Sequence, residues 1–260
     1  MTPPLSIFII AKDEADRLPA TLKAASGLAR EIIVVDSGSA DGTPALAEAM
    51  GARVIVNVPF PGYGEQKRIA EEACSQPWHL NLDADEVMTP ELRDEILSLF
   101  AQGEPTCDAY HIAIVEVLPD EEAPQFFAYR LSPIRLYKKA LGTYSTALVH
   151  DRIILDPGAR VGRLKGFVHH RSIRSLPAQL KKLDAYSTLQ AIDFIDRGRR
   201  LRTWRLVTDF PVAFLKSYFG RRWFLRGSYG FLLAMNHAIF RHLRVTKIYE
   251  MQRNPTKTKG

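Results

Sequence analysis

The sequence predicts an α/β fold, a mostly parallel, doubly wound sheet, with a basic and largely helical extension at its C-terminal end. Three observations carry this. Continuous apolar runs at 6–11, 31–36 and 78–83 alternate with amphipathic stretches, the rhythm of βα units around a sheet covered on both faces. From Pro177 helical periodicity takes over, with Leu180, Leu183, Tyr186, Leu189, Ile192 and Ile195 at near-helical intervals. Charge divides in the same way. From Arg160 onward 22 Lys and Arg face 5 Asp and Glu, and the first 159 residues hold 13 against 24, so the net charge of +6 conceals an acidic part and a basic part.

Residues 6–11 read as a buried strand, and the polar loop Lys12-Asp13-Glu14-Ala15-Asp16-Arg17 leads into a short amphipathic helix over 18–29. Residues 31–36 form a second apolar strand ending in Asp36. Ser37-Gly38-Ser39-Ala40-Asp41-Gly42-Thr43 follows, rich in flexible residues and capping side chains, and Pro44 fits the first turn of a helix running to Met50. A strand at 53–56 completes a β-α-β-α-β alternation, which calls for right-handed crossovers. Pro59, Pro61, Gly62 and Gly64 make a loop into a helix over 65–74; the strand at 78–83 comes next, and Thr89-Pro90 opens another helix. Residues 109–117 read as a strand. From Pro119 to Arg174 only short β pieces are legible, at 134–137, 153–155 and 167–169.

At 260 residues the chain can bury a substantial core, and it contains no repeat or low-complexity tract. Cys74 and Cys107 alone exclude a disulfide framework or a cysteine-based zinc site and favour a reducing compartment. No basic segment precedes an apolar core at the N-terminus, so no signal peptide is expected. The stretches 204–219 and 223–240 interleave Trp, Phe, Tyr and Leu with Arg and Lys, and the longest uncharged run, 227–240, is too short to span a bilayer. That composition suits helices lying in the headgroup region, with soluble helices packed on a core as the alternative. The basic charge implies an anionic partner, for which a phospholipid leaflet and nucleic acid both qualify.

The chemistry centres on Asp83-Ala84-Asp85, at the tip of an apolar strand, where open α/β sheets bind ligands. Two carboxylates one residue apart can share a hard divalent cation, Mg²⁺ or Mn²⁺, that bridges to phosphates; an ordinary turn is the plainer reading. Asp36 is placed to accept from a donor such as a base N–H, and the Ser-Gly-Ser turn permits close backbone approach. Lys67 and Arg68 can meet phosphate oxygens. There is no GxxxxGK[ST] loop and no GxGxxG turn after a strand, so other nucleotide-binding motifs lose support.

Taken together, Val34-Val35-Asp36-Ser37-Gly38-Ser39-Ala40-Asp41-Gly42-Thr43, then Gly62-Tyr63-Gly64-Glu65-Gln66-Lys67, then Leu82-Asp83-Ala84-Asp85-Glu86 resemble an inverting glycosyltransferase of family 2, most nearly the bacterial lipopolysaccharide-core glucosyltransferases. Weaker resemblance continues through Val149-His150-Asp151 and Val168-His169-His170. It implies a GT-A, Rossmann-like catalytic domain over 1–174, with the donor site within 1–100 and the acceptor and base region within 101–174. The helical extension then covers 175–260. It also implies a nucleotide-sugar donor, usually UDP-linked, and a divalent cation, Mg²⁺ or Mn²⁺. Carried over by position, Ala11, Glu14, Asp36, Ser37, Gly38, Ser39, Asp41, Gln66, Lys67, Asp83 and Ala84 surround the donor, and Asp83, Asp85 and His169 hold the metal, with His170 as the alternative histidine. Asp151 is the candidate general base and Glu86 its rival or support.

The resemblance places the enzyme peripherally on the cytoplasmic face of a bacterial inner membrane. There it would act on a lipid-linked glycan such as lipopolysaccharide core, with no nucleic acid partner. A polyprenyl phosphate acceptor is the alternative, and a non-catalytic membrane- or nucleic-acid-binding module on the same scaffold the more distant one. Three departures stand out. Asp13 replaces the usual Asn of Lys-Asn-Glu, Arg68 replaces a common Asn after Gln-Lys, and Asp151 is one methylene shorter than the usual Glu.

Overall fold

The computed structural model describes residues 2–148 and 151–254. The chain divides into two compact units. The first comprises residues up to 117, 122–124 and 130–172, and the second comprises 118–121, 125–129 and the residues from 173 onward.

In the first unit the order is β1 (Leu5–Ala11), α1 (Leu18–Ala25), β2 (Glu31–Asp36), α2 (Thr43–Ala49), β3 (Arg53–Val56), α3 (Tyr63–Glu72), β4 (Trp78–Asp83), β5 (Glu86–Met88), α4 (Pro90–Ala101) and β6 (Ala109–Glu116). Then come β7 (Arg130–Leu131), β8 (Ile134–Lys138), β9 (Gly142–Tyr144), β10 (Ile153–Leu155) and β11 (Val161–His170). The main sheet runs β3-β2-β1-β4-β8-β6-β11-β5, with β7 on β6. Its first four strands are all parallel, as the βα alternation requires. Beyond β4 the sheet turns mixed: β8 is antiparallel to both β4 and β6, and β5 is antiparallel to β11.

Alternation along β1 shows why both faces are covered. Leu5, Ile7 and Ile9 enter one core with Leu22 of α1, Leu82 of β4 and Leu92 of α4, while Phe8 enters the other with Ala70 of α3 and Tyr144 of β9. Helix α1 stops at Ala25, short of residue 29, because Gly27 takes φ +71 and turns the chain out of the helix. Strand β11 is longer than the piece legible at 167–169. Its first half, Val161-Gly162-Arg163-Leu164-Lys165, is too polar to read as a buried run, yet it pairs in parallel with β6.

The second unit is helical: α5 (Leu176–Asp196), α6 (Arg205–Leu215) and α7 (Gly227–Arg253), with a π turn at Lys216–Gly220 and a 3-10 turn at Trp223–Arg226 between the last two. Helices α5 and α6 both pack on α7. Trp223, Leu233 and Ala234 form its buried centre with Leu118 and Ile173. No helix among the described residues is long and apolar enough to cross a membrane.

Candidate active site

The register of the sheet collects the chemistry at one edge. Ala11, the buried last residue of β1, pairs with Asp36, the last of β2, and Ile10 pairs with Asp83 at the tip of β4. Three strand ends therefore open on one rim, where loops carry the polar groups.

Two of these loops are laced together by their own side chains. Asp36 is fully buried; its Oδ1 accepts from the N–H groups of Gly38 and Ser39 at 2.8 Å each, and its Oδ2 accepts from the Ser39 hydroxyl. The carboxylate thus shapes the Ser37-Gly38-Ser39 turn, with Gly38 at φ +81. Asp41 accepts from the Ala15 N–H at 3.0 Å and caps the turn through Thr43, and the Asp13 N–H donates to the Ser39 hydroxyl at 2.8 Å. Gln66, also fully buried, donates to the Ser37 hydroxyl at 2.9 Å and accepts from Asn57 at 2.7 Å. Three of the polar residues expected around a donor, Asp36, Asp41 and Gln66, therefore hold the rim in shape with their side chains. Glu14 is gripped by Arg17, which reaches on to Asp85 Oδ2 at 3.3 Å. The Ala84 carbonyl accepts from the Thr21 hydroxyl at 2.9 Å and ties the Asp83-Ala84-Asp85 turn to α1.

Lys67 and Arg135 organise the other half. The Lys67 ammonium, on α3, lies 2.9 Å from Asp83 Oδ1 and 2.9 Å from Asp151 Oδ2. Arg135, from the middle of β8, lies 3.1 Å from Asp83 Oδ2 and 2.7 Å from Glu86 Oε1. It also donates to the Asn81 side-chain oxygen, which accepts from the Tyr144 hydroxyl at 2.7 Å. Burial works against the Asp83 charge, but Lys67 and Arg135 outweigh it and hold the carboxyl well below the usual carboxylate range. Burial likewise disfavours the Lys67 ammonium, and Asp83 more than restores it.

Glu86 is only 1% exposed, and burial pushes its carboxyl up against the pull of Arg135. Its second oxygen accepts from the Asp83 N–H at 3.0 Å, so both oxygens are engaged inside the wall of the site. Asp151 is the second carboxylate on Lys67, with its side chain 19% exposed. Val149 and His150, which precede it in the sequence, lie outside the described residues.

The late histidines are separated by strand alternation. His170 pairs with Glu86 across β5 and β11, and its Nε2 lies 3.4 Å from Asp85 Oδ1. His169 points to the opposite face, with its ring 5.4 Å from Phe167. The expectation that His169 stands beside the Asp pair is therefore corrected: the neighbouring residue does. Burial disfavours charge on His170, yet Asp85 raises its basicity overall.

A carboxylate and an imidazole side by side form a donor set that fits a divalent cation. No group of three or more His, Cys, Asp or Glu side chains able to hold a metal occurs among the described residues. A cation here would take Asp85 and His170 and complete its shell from phosphate oxygens and water, the habit of Mg²⁺ and Mn²⁺ at phosphate sites. Asp83 has Lys67 on one oxygen and Arg135 on the other.

The glycines at the head of α3 explain how Lys67 meets Asp151. Gly64 packs so tightly on the 145–148 segment that a Cβ there would lie 2.1 Å from the Ser145 carbonyl oxygen. The Tyr63 and Gly64 N–H groups donate to Leu148 and Ala147 at 3.1 and 3.0 Å. Sequence reasoning missed Arg135, Asn81, Tyr144 and Arg17. Arg135 alone left a signal, as a charged residue inside the apolar run Ile134-Arg135-Leu136-Tyr137.

Residues 6–154 match the family model described as glycosyl transferase family 2. An uncharacterized glycosyltransferase of Rickettsia felis is 36% identical, over 95% of this chain and 89% of that protein. The lipopolysaccharide core biosynthesis glycosyltransferase LpsC of Rhizobium meliloti is 32% identical, over 95% of this chain and 92% of that protein. Among solved structures, the mannosyltransferase PcManGT from Pyrobaculum calidifontis, in complex with GDP-Man and Mn²⁺, aligns with a TM-score of 0.53 at 12% identity. That alignment covers 96% of this chain and 88% of the other and shows a shared GT-A fold.

Proposed function

The chain belongs to glycosyl transferase family 2, and on that premise we propose an inverting transferase that moves a sugar from a UDP-linked donor to a hydroxyl of a lipid-anchored glycan. It would work peripherally at the cytoplasmic face of a bacterial inner membrane, with a glycan of the lipopolysaccharide-core kind as acceptor. The likeness to LpsC supports that acceptor class. The observation that carries the chemistry is the Lys67 ammonium held between Asp83 and Asp151 at 2.9 Å from each. It joins Asp83 of the rim to the carboxylate that this reading makes the base.

In this reading Asp151 accepts the proton of the acceptor hydroxyl as its oxygen attacks the anomeric carbon. The new glycosidic bond forms as the bond to the diphosphate oxygen breaks, and the nucleoside diphosphate departs with the electron pair. Lys67 and Arg135 keep Asp83 ionised and supply positive charge near the departing phosphates. A divalent cation held by Asp85 and His170 would add Lewis-acid stabilisation of that leaving group. The side chains of Asp36, Asp41 and Gln66 preset the shape of the rim on which the nucleotide would lie. Glu14 acts through Arg17, which it orients toward Asp85.

The test is Asp151→Asn, assayed with nucleotide-sugar donors and lipid-linked acceptors in Mn²⁺. The expected result is a loss of transfer of about 10²–10⁴-fold, with UDP-dependent thermal stabilisation retained. Near-normal transfer would favour a polyprenyl phosphate acceptor, which arrives already ionised. Absence of any stabilisation of the unmodified protein by nucleotides would overturn the donor site itself and leave a non-catalytic module.

A further inference from the structure

Helix α6 of the second unit is built inside out. A surface helix normally turns its apolar stripe to the core and its charges to water. Here Trp204, Val207, Pro211 and Leu215, which share one helical stripe, are all exposed, Val207 at 77% and Leu215 at 52%. The charged pair faces the other way. Arg205 Nη2 lies 2.7 Å from Asp209 Oδ2, and that carboxylate is 10% exposed with Arg241 and Arg244 of α7 at 3.5 and 3.8 Å.

The exposed stripe continues into an aromatic platform. Phe214 stacks on Tyr218 with centroids 5.4 Å apart and meets Phe231 at 5.6 Å, and Phe219 meets Phe224 at 5.9 Å. Phe219 is 57% exposed, and Phe224 and Phe231 are exposed as well. Between α6 and α7 opens a groove of about 380 Å³ lined solely by apolar side chains, Phe210, Pro211, Phe214, Leu215, Phe231 and Met235. So much contiguous apolar surface is unusual in a soluble protein and marks a contact site.

The charges around it identify the partner. Residues 199–226 contain eight Lys and Arg and one acid, Asp209, which is turned inward. Arg221 is held over the Tyr129 and Trp223 rings and Arg226 pairs with Glu121, but Lys216 and Arg222 are exposed beside the platform. Exposed apolar side chains with Lys216 and Arg222 exposed beside them match hydrocarbon beneath a layer of phosphate headgroups. We propose that the exposed stripe of α6 and the adjoining Phe219–Phe224–Phe231 platform embed in the surface of an anionic phospholipid bilayer. Lys216 and Arg222 then lie at headgroup depth. This deepens the membrane placement proposed above, on which it rests, by naming the surface and its lipid class.

The test is cosedimentation of the full chain with phosphatidylglycerol–phosphatidylcholine vesicles and with phosphatidylcholine vesicles alone. Wild type should partition onto the anionic vesicles, more weakly as salt rises. Val207→Ser combined with Leu215→Ser should lower that partition about tenfold or more, since two apolar side chains no longer enter hydrocarbon. Lys216→Glu combined with Arg222→Glu should abolish the preference for anionic vesicles. Both altered residues in the first variant are exposed, so its urea midpoint and its stabilisation by UDP should match wild type. Failure of wild type to bind anionic vesicles, or undiminished binding by the serine variant, overturns the proposal. So does a dimer of the unmodified chain that the serine variant dissolves without vesicle binding, because the face would then belong to a second copy. Vesicle binding without nucleotide stabilisation would instead count against the donor site and leave this surface standing.

Discussion

The Lys67 ammonium stands 2.9 Å from Asp151 Oδ2, which couples helix α3 to the candidate base across 84 positions of sequence. The same ammonium is 2.9 Å from Asp83, and the Tyr144 ring lies 5.4 Å beneath it. One cation thus serves two carboxylates in a buried setting, where removing it leaves like charges unbalanced.

Lys67→Met should therefore damage catalysis more than folding competence would suggest. The expected drop in kcat is about 10²-fold, the scale for losing one preorganised charge at a developing anion. Stabilisation by UDP should weaken in parallel, and Lys67→Arg should not restore either property, since a planar guanidinium does not replace a compact ammonium between two oxygens. Steady-state kinetics with thermal shifts on the same preparations checks this. Unchanged kcat in the Met variant would remove Lys67 from the machinery.

Glu86 and Asp151 should separate cleanly by what they cost. Glu86 is enclosed by Arg135 and the Asp83 N–H. Glu86→Gln takes away a buried counter-charge, so urea denaturation should show a stability loss of about 3 kcal/mol, while the remaining folded enzyme retains more kcat than Asp151→Asn. If Glu86→Gln instead lost activity as severely as Asp151→Asn at unchanged stability, Glu86 would be the base.

How far the sequence carries the site depends on where each partner lies along the chain. The three rim motifs were legible because each is local: an apolar run ends and its polar residues follow within a few positions. Asp85 and Glu86 could be named for the same reason. Their long-range partners could not. Arg135 comes from β8, 49 residues beyond Glu86, and only the antiparallel insertion of β8 beside β4 brings it to Asn81 and Asp83. The choice between His169 and His170 turned on a one-residue register, which flips a strand side chain from one face to the other. The inside-out α6 was half legible: its aromatic and basic composition is in the sequence, but which stripe faces water depends on Arg241 and Arg244 of α7.

Gly64 is required by proximity and not by its own dihedral angles. Its Cβ position would fall 2.1 Å from the Ser145 carbonyl oxygen and 2.7 Å from that of Ala147. Gly64→Ala must push the 145–148 segment away from α3, at a cost of about 1–3 kcal/mol. Because that segment leads to Asp151, transfer should fall alongside the urea midpoint. Gly42→Ala, where no atom lies within 4 Å, serves as the comparison. It carries only the strain of φ +86 and should leave the Lys67–Asp151 side of the site in place.

His79 makes the fold sensitive to acid at a point well inside the sheet. It is fully buried in β4, its ring 6.0 Å from Phe8 on β1 and 5.6 Å from Tyr137 on β8. Burial, reinforced by nearby Lys139 and only partly offset by the Gln76 backbone and Glu31, lowers its pKa to about 4. The sign follows directly. The unfolded chain takes up this proton near pH 6.5 and the folded chain only near 4, so the stabilisation is complete above about pH 6.5. It is lost as pH falls toward 4, and the full difference amounts to about 3 kcal/mol. His79→Phe keeps an aromatic ring between Phe8 and Tyr137 and removes the titration. Urea unfolding of the two proteins at a series of pH values should show wild type losing stability through this window faster than the variant. Parallel curves would mean that His79 is solvated or protonated in the folded state, contrary to its buried position.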